Sequence, residues 1–137
     1  MNGGANETRE ERLIAIVDDD TSVRKSTRRL VRSLGYRAET FASAEEFLES
    51  DQATDTACLI LDVRMPRIDG LELQRRLADS DPRIPIVFIT AQASEDEEQR
   101  ALRAGAVAFL RKPVGKEALL AVLRGVLEGS AGSGGES

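Results

Sequence analysis

Histidine and tryptophan are absent from this 137-residue chain, and cysteine occurs only once, at Cys58. Without histidine the chain cannot form a Ser-His-Asp triad, bind zinc through imidazole or carry a phosphohistidine. A single cysteine excludes an internal disulfide and a thiolate metal cluster, and its place in the apolar run 57–61 predicts a small buried side chain. The groups that remain for chemistry are carboxylates, hydroxyls and amines.

Long hydrophobic runs are also missing. No apolar stretch approaches the roughly 18–20 residues that span a bilayer, and the polar N-terminus lacks the apolar core of a signal peptide. The net charge of −5 offers no electrostatic attraction to nucleic acid. We therefore expect a cytoplasmic protein that by itself binds neither a membrane nor nucleic acid.

The length is sufficient for one domain with a hydrophobic core. Residues 1–11 are polar and residues 129–137 are rich in glycine and serine. Such compositions predict a flexible N-terminus and a flexible tail, which is either a plain terminus or the stump of a linker. The predicted domain is therefore 12–128.

Short apolar runs alternate with amphipathic stretches along this domain. Most of the runs are too continuously apolar for a sheet with one wet face, so we expect helices on both faces. Strict alternation through five units predicts a doubly wound α/β domain with a five-stranded parallel sheet. The predicted strands are 13–17, 36–41, 57–61, 84–89 and 107–110.

Helix boundaries can be read from capping residues. Asp20 and Asp69 are candidate N-caps, and Gly35 and Gly105 are candidate C-terminal stops. Two segments, 43–46 and 94–97, match the Ser-x-x-Glu capping box and predict the starts of the second and fourth helices.

Polar side chains follow several of the predicted strands, at the edge where ligands bind in parallel sheets. Asp18 and Asp19 follow the first strand, Asp62 the third, Thr90 ends the fourth and Lys112 follows the fifth. Clustered carboxylates are unfavourable without a cation, and an all-oxygen set suits Mg²⁺. A carboxylate beside that metal can attack phosphorus to form an aspartyl phosphate, with a lysine and a hydroxyl binding the phosphoryl oxygens.

Each of these residues taken alone has an ordinary structural explanation. An aspartate after a strand usually caps a helix, as Asp20 is expected to do, and Lys112 alone would be a solvated surface lysine. Thr90 alone could end a strand. Their occurrence together at successive strand ends favours a functional site.

Four motifs carry a resemblance to a known family: Ile16-Val17-Asp18-Asp19-Asp20, Leu61-Asp62-Val63-Arg64-Met65-Pro66-Arg67-Ile68-Asp69-Gly70, Ile89-Thr90-Ala91 and Phe109-Leu110-Arg111-Lys112-Pro113. With them the chain resembles the receiver domains of two-component response regulators over about residues 13–127. The resemblance implies the flavodoxin-like receiver fold with strand order 2-1-3-4-5.

The resemblance also implies a role for each matching residue. Asp62 is the phosphoacceptor, and Mg²⁺ is held by Asp18, Asp19, Asp62 and the backbone carbonyl of Arg64. Lys112 pairs with the phosphoryl group. These roles define a phosphoacceptor that works in a two-component or phosphorelay system.

Other matching positions are implied to transmit or tune the signal. Thr90 and Phe109 reorient on phosphorylation, and the small Ala91 leaves room for the phosphoryl group. Arg64 and Gln92 occupy the positions that tune dephosphorylation. The bond before Pro113 is implied to be cis.

Segments 43–48 and 105–110 look most like receivers of the nitrogen-fixation regulator type, which commonly precede a helix-turn-helix output domain. The chain is then either a stand-alone receiver or a fragment of a transcriptional regulator. The implied partners are a sensor histidine kinase or histidine phosphotransfer protein, a downstream protein or output domain that binds the face of the fourth helix, fifth strand and fifth helix, and a second copy after phosphorylation.

Two helices bear on these partners. The fourth helix is acidic and has few large apolar residues, which predicts weak anchoring and a role in the moving surface. The first helix is a basic face that either docks the phosphodonor or is simply solvated. Its cations are Arg24, Lys25, Arg28, Arg29 and Arg32.

Three other functions fit the sequence less well. A phosphatase with an aspartate nucleophile would need an acid two residues after Asp62, where this chain has Arg64. A flavin carrier would need a phosphate-binding loop after the first strand, but the acidic residues 18–20 at that place would repel phosphate. A receiver that signals without phosphorylation would not need the complete set of motifs that this chain has. We therefore expect no enzyme activity beyond self-phosphorylation from donors and slow self-dephosphorylation.

Overall fold

The computed structural model describes residues 11–51 and 55–129. Five strands alternate with five helices, as the apolar runs predict. The strands are β1 (Leu13–Val17), β2 (Arg37–Phe41), β3 (Thr56–Leu61), β4 (Ile86–Thr90) and β5 (Ala108–Arg111). The helices are α1 (Thr21–Ser33), α2 (Ala44–Glu49), α3 (Gly70–Ser80), α4 (Glu95–Arg103) and α5 (Lys116–Arg124), and a π-helical turn (Gly125–Gly129) continues α5.

All neighbouring strands pair in parallel, in the order β2-β1-β3-β4-β5. This confirms the predicted doubly wound α/β fold and its strand order 2-1-3-4-5. The predicted flexible ends, 1–11 and 129–137, lie outside the described residues except for Glu11 and Gly129. No helix in the described ranges combines the length and the apolar character needed to cross a membrane.

Both faces of the sheet are buried, which confirms the interpretation of the continuous apolar strands. Alternate residues of β1 point to opposite faces: Val17 packs with Phe47 and Leu73, and Ile16 packs with Val31 and Leu119. The face with α2, α3 and α4 therefore has a core separate from that of α1 and α5.

Only β1 has the predicted bounds, and the other four strands differ from the prediction by one or two residues. β2 begins one residue later than predicted, β3 begins one residue earlier, and β4 ends one residue later. β4 begins at Ile86 and not at Ile84, because Pro85 has no N–H to donate to a ladder, although its carbonyl accepts the Leu59 N–H at 2.9 Å. β5 lies one residue later than predicted. It is an edge strand whose residues are only half-buried or exposed, so an apolar pattern marks its ends poorly.

The caps explain where the helices begin. Asp20 accepts the N–H groups of Ser22 and Val23. Asp69 caps α3, and Ser94 and Glu97 form a reciprocal capping box on α4. The box predicted at 43–46 is wrong in one respect. Ser43 caps α2, but Glu46 accepts the N–H of Ala42, one residue earlier than a capping box requires.

Cys58 lies on the strand face that packs against α1 and α5, and it is fully buried. Burial raises the pKa of its thiol to about 12. We predict that the native protein resists a thiol-specific reagent at mildly alkaline pH, since the nucleophilic thiolate is scarcely formed there. Reaction should become rapid in denaturant. A native thiol that reacts as fast as the denatured one would contradict this burial.

Candidate functional site

The carboxyl ends of the strands form one rim, and backbone hydrogen bonds continue across it beyond the strands. The Asp18 N–H donates to Phe41 O, the Asp62 N–H to Val17 O and the Lys112 N–H to Thr90 O, at 3.2, 3.2 and 2.9 Å. Because adjacent parallel strands end at the same edge, these bonds align residues from β1, β3 and β5. The rim therefore has a well-defined backbone frame.

Lys112 joins the two acidic strand ends. Its Nζ lies 3.0 Å from Asp18 Oδ2 and 3.0 Å from Asp62 Oδ2. The residues Asp18 and Asp62 are only 4% and 7% exposed, and the side chain of Lys112 is 19% exposed. One ammonium group thus faces two buried carboxylates, which leaves this cluster one negative charge in excess when all three groups are ionised.

This excess is reflected in the acid–base properties of the cluster. Burial raises the pKa of Asp18 and the charge of Asp62 adds to the rise, although the Asp20 N–H and Lys112 oppose it. Burial alone would lower the pKa of Lys112, but its contacts with Asp18 and Asp62 outweigh burial and raise it. The lysine is therefore held protonated, and an added cation would favour ionised Asp18.

Asp62 is oriented by backbone groups as well as by Lys112. Its Oδ1 accepts the backbone N–H of Arg64 at 3.1 Å, which leaves Oδ2 to the lysine. Gly70, the first residue of α3, donates its N–H to Val63 O at 2.9 Å. A Cβ at Gly70 would lie 2.2 Å from the Asp62 carbonyl oxygen, so only glycine allows α3 to begin this close to the phosphoacceptor candidate.

Asp19 lies beside this cluster but is not part of it. It is exposed and borders a surface depression of about 350 Å³ together with Arg64, Met65, Pro66 and Asp69. Within residues 11–51 and 55–129, no group of three or more His, Cys, Asp or Glu side chains is arranged to hold a metal ion. The three acids predicted to converge are thus split into a buried pair bridged by Lys112 and one exposed acid.

The donor set nevertheless fits Mg²⁺ in its chemistry. Every candidate ligand is an oxygen, and Mg²⁺ usually needs only one or two protein carboxylates because it keeps several waters. The residues that would hold it are those that the family resemblance implies: Asp18, Asp19, Asp62 and the carbonyl of Arg64.

The Thr90 hydroxyl is directed to its own loop. It donates to Gln92 O at 3.0 Å and accepts the Gln92 N–H at 3.3 Å, and the residue is fully buried. Ala91 is exposed at the start of the same loop. Thr90 therefore lies on the predicted rim, but its hydroxyl is hydrogen-bonded to Gln92 and not, among the described residues, to Asp62 or Lys112.

Phe109 and the residues after β5 complete the rim. The Phe109 ring is half-buried, with its centroid 5.7 Å from that of Phe88, and the Arg111 guanidinium lies 5.5 Å from the ring centre. The peptide bond between Lys112 and Pro113 is cis.

Sequence reasoning missed two contributors to this geometry. Gly70 belongs to one of the four motifs, but the motif does not say why glycine is needed there. A glycine in the first turn of a helix has a poor helix propensity and therefore signals a close approach. Arg24 is one of the cations of the predicted basic face, but its Nη1 donates to Asp18 O at 2.8 Å. No pattern in the sequence marks that contact, because it depends on how α1 packs beside β1.

A parallel sheet of order 2-1-3-4-5 with two acids and a lysine at its carboxyl rim defines a doubly wound α/β domain with an acidic site. The model of the family described as "Response regulator receiver domain" matches residues 14–124, and the chain belongs to this family. Over 119 residues it is 43% identical to the "Response regulator protein TmoT" of Ectopseudomonas mendocina, an alignment that covers 87% of this chain and 54% of that protein.

Solved structures agree with this assignment. The CheY-like receiver domain protein from Methanospirillum hungatei JF-1 superposes with a TM-score of 0.81 at 30% identity, over 89% of this chain and 98% of that one. The structure titled FixJ-N has a TM-score of 0.76 at 34% identity, over 85% and 94%. The chain spans about half the length of the curated relatives that it matches.

We predict that Gly70→Ala destabilises the protein by about 1–3 kcal/mol, because the new methyl group would have to displace the end of β3 or the start of α3. Gly125→Ala is the matched control, since Gly125 has helical dihedral angles and open space for a Cβ. The control should be neutral or stabilised by up to about 1 kcal/mol. Chemical denaturation measures both, and equal midpoints would show that the close approach at Asp62 is not tight.

Proposed function

We propose that the chain is the phosphoacceptor of a two-component or phosphorelay system, with Asp62 taking a phosphoryl group from a phosphohistidine in a Mg²⁺-dependent reaction. The observation that supports this most directly is the buried Asp62 carboxylate, fixed by Lys112 and the Arg64 N–H, in a domain of the receiver family. The phosphodonor is a sensor histidine kinase or a histidine phosphotransfer protein, and the exchange takes place in the cytoplasm.

The proposed phosphoryl transfer needs no general base, because the Asp62 carboxylate is already an anion. A carboxylate oxygen of Asp62 attacks phosphorus, the P–N bond to imidazole breaks, and the imidazole takes a proton from solvent as it leaves. Lys112 already faces Asp62 and would pair with the negative oxygens of the incoming group. Bound Mg²⁺ supplies further positive charge against the carboxylates and the phosphoryl oxygens. The chain's own contribution is to position these charges, as is usual in phosphoryl transfer.

The switch that follows would use Thr90 and Phe109. The Thr90 hydroxyl would exchange the Gln92 carbonyl for a phosphoryl oxygen, and the half-buried Phe109 would move inward beside Phe88. Ala91 leaves room for the phosphoryl group, and the side chains of Arg64 and Gln92 set how quickly water reaches it. The altered face of α4, β5 and α5 is then read by a downstream protein, an output domain or a second copy of the chain.

Asp62→Asn tests the acceptor. Incubation with Mg²⁺ and acetyl phosphate should add the mass of one phosphoryl group to the parent protein and none to Asp62→Asn, which retains the shape but not the nucleophilic charge. Asp79→Asn, an exposed acid on α3, is the control and should label like the parent. Labelling that survives in Asp62→Asn would refute the assignment, and rapid turnover of phosphomonoesters would favour a phosphatase instead.

Asp19→Asn tests the metal site. Mg²⁺ at one hundred times its dissociation constant should raise the free energy of unfolding of the parent by about 2.7 kcal/mol. Because Asp19 is exposed and lies outside the Lys112 cluster, Asp19→Asn should leave the metal-free stability within about 0.5 kcal/mol of the parent. It should weaken the stabilisation by Mg²⁺, whereas Asp79→Asn should not. Full stabilisation of Asp19→Asn by Mg²⁺ would remove Asp19 from the ligand set.

A further inference from the structure

Helix α4 has little apolar anchoring. Ala101 is its one fully buried residue, and the buried side chain of Gln74 on α3 donates from Nε2 to Ala101 O at 2.9 Å. This contact holds the C-terminal half of the helix. The first turn of α4 consists of four acidic residues, Glu95, Asp96, Glu97 and Glu98. The interactions that hold this turn in place are therefore electrostatic.

Two arginines bind this turn. Arg64 Nη2 lies 2.8 Å from Glu97 Oε1, and Arg111 Nη2 lies 2.7 Å from Glu98 Oε1. Arg111 also donates from Nη1 to Ala93 O at 2.9 Å, just before the helix begins. We call these four side chains, Arg64, Arg111, Glu97 and Glu98, the α4 clamp.

Both arginines lie next to the groups that hold Asp62. The backbone N–H of Arg64 donates to Asp62 Oδ1, and Arg111 directly precedes Lys112, whose Nζ contacts Asp62 Oδ2. A shift of Asp62 or Lys112 therefore reaches the first turn of α4 through one residue on each side. Arg64 lies in the loop after β3 and Arg111 ends β5, and these two strands flank β4 in the sheet. The turn is therefore held from both sides of β4.

Glu97 links the clamp to the helix end itself. Its Oε1 accepts both the Arg64 guanidinium and the Ser94 N–H, the latter at 2.9 Å. One oxygen therefore serves the capping box and the clamp together. A movement of Arg64 would disturb the cap of α4 as well as the ion pair.

We infer that Arg64 and Arg111 act as positioning residues that couple the phosphorylation state of Asp62 to the first turn of α4. This inference rests on the function proposed above. In the unphosphorylated protein the clamp holds the turn in place and thereby slows the change that accompanies phosphorylation. Coupling is reciprocal, so a partner that binds α4 and breaks the clamp also changes the ease of phosphorylating Asp62.

The strength of the clamp suits a switch. The side chains of Arg64 and Arg111 are 53% and 44% exposed, and such ion pairs are weak and screened by salt. Their loss should change an equilibrium by a small factor, about two- to fivefold, and should not unfold the domain. A clamp of this strength can be opened by a phosphoryl group or by a docking partner.

The test compares two double variants that remove the same charge from the same turn. E97Q/E98Q removes both acids of the clamp, and glutamine at position 97 still suits a capping box. E95Q/D96N is the control, because no ion pair in the described part of the chain joins Glu95 or Asp96 to Arg64 or Arg111. Asp96 pairs within α4, with Arg100. Loss of favourable interaction with the helix dipole is matched between the two variants.

Two readouts are followed: amide hydrogen exchange of residues 95–103, and the initial rate at which acetyl phosphate labels Asp62 in the presence of Mg²⁺. In E97Q/E98Q both rates should exceed those of E95Q/D96N by about two- to fivefold. High salt should bring α4 of the parent protein towards the exchange rate of E97Q/E98Q. A clamp variant that matches the control in either readout overturns the inference.

The outcome also separates this inference from the proposed function. If the parent protein labels at Asp62 and the two double variants behave alike, the coupling is wrong and the acceptor function stands. If the parent protein does not label, the acceptor function fails and the coupling inference fails with it. A merely structural role for the glutamates would change hydrogen exchange but not the labelling rate.

Discussion

The bridge from Lys112 to Asp18 and Asp62 is the interaction on which the site depends. Two buried carboxylates of like charge would be unfavourable side by side, and a single ammonium group at 3.0 Å from each offsets part of that cost. Along the chain, Lys112 is 94 positions from Asp18 and 50 positions from Asp62. They meet only because β1, β3, β4 and β5 are neighbours in one parallel sheet, so the charge balance of the rim requires the whole fold.

The arrangement of the strands and helices could be predicted from the sequence. Continuous apolar strands such as Leu13–Val17 must be covered on both faces, and alternation with amphipathic helices leaves few topologies. Boundaries were less accessible, since they are decided by individual hydrogen bonds. Pro85 shortens β4 because it lacks an N–H, and Glu46 reaches Ala42 where a capping box would need the N–H of Ser43.

The site was predictable in its location and less so in its contacts. Parallel strands end together, so Asp18, Asp62, Thr90 and Lys112 were expected at one rim, and the structure places them there. The directions of the side chains depend on local competition for hydrogen bonds. The Thr90 hydroxyl binds Gln92. The Lys112 ammonium group lies between Asp18 and Asp62, and Asp19 stays exposed. The sequence shows which hydrogen-bond donors and acceptors are available at the rim, but it does not show which of them pair.

The switch proposed for this domain would depend on the contrast between the rim and α4. The rim is fixed by buried charges and backbone hydrogen bonds, whereas α4 is held by one buried alanine, one amide hydrogen bond and exposed ion pairs. The sequence already indicated weak anchoring there, since the helix has few large apolar residues. A rigid site can impose a new charge arrangement without itself unfolding, and a weakly held neighbour can follow it at low cost. Helix α3 is anchored by the buried Leu73 and Leu77. If α4 were packed as tightly, moving it in response to phosphorylation of Asp62 would cost much more free energy.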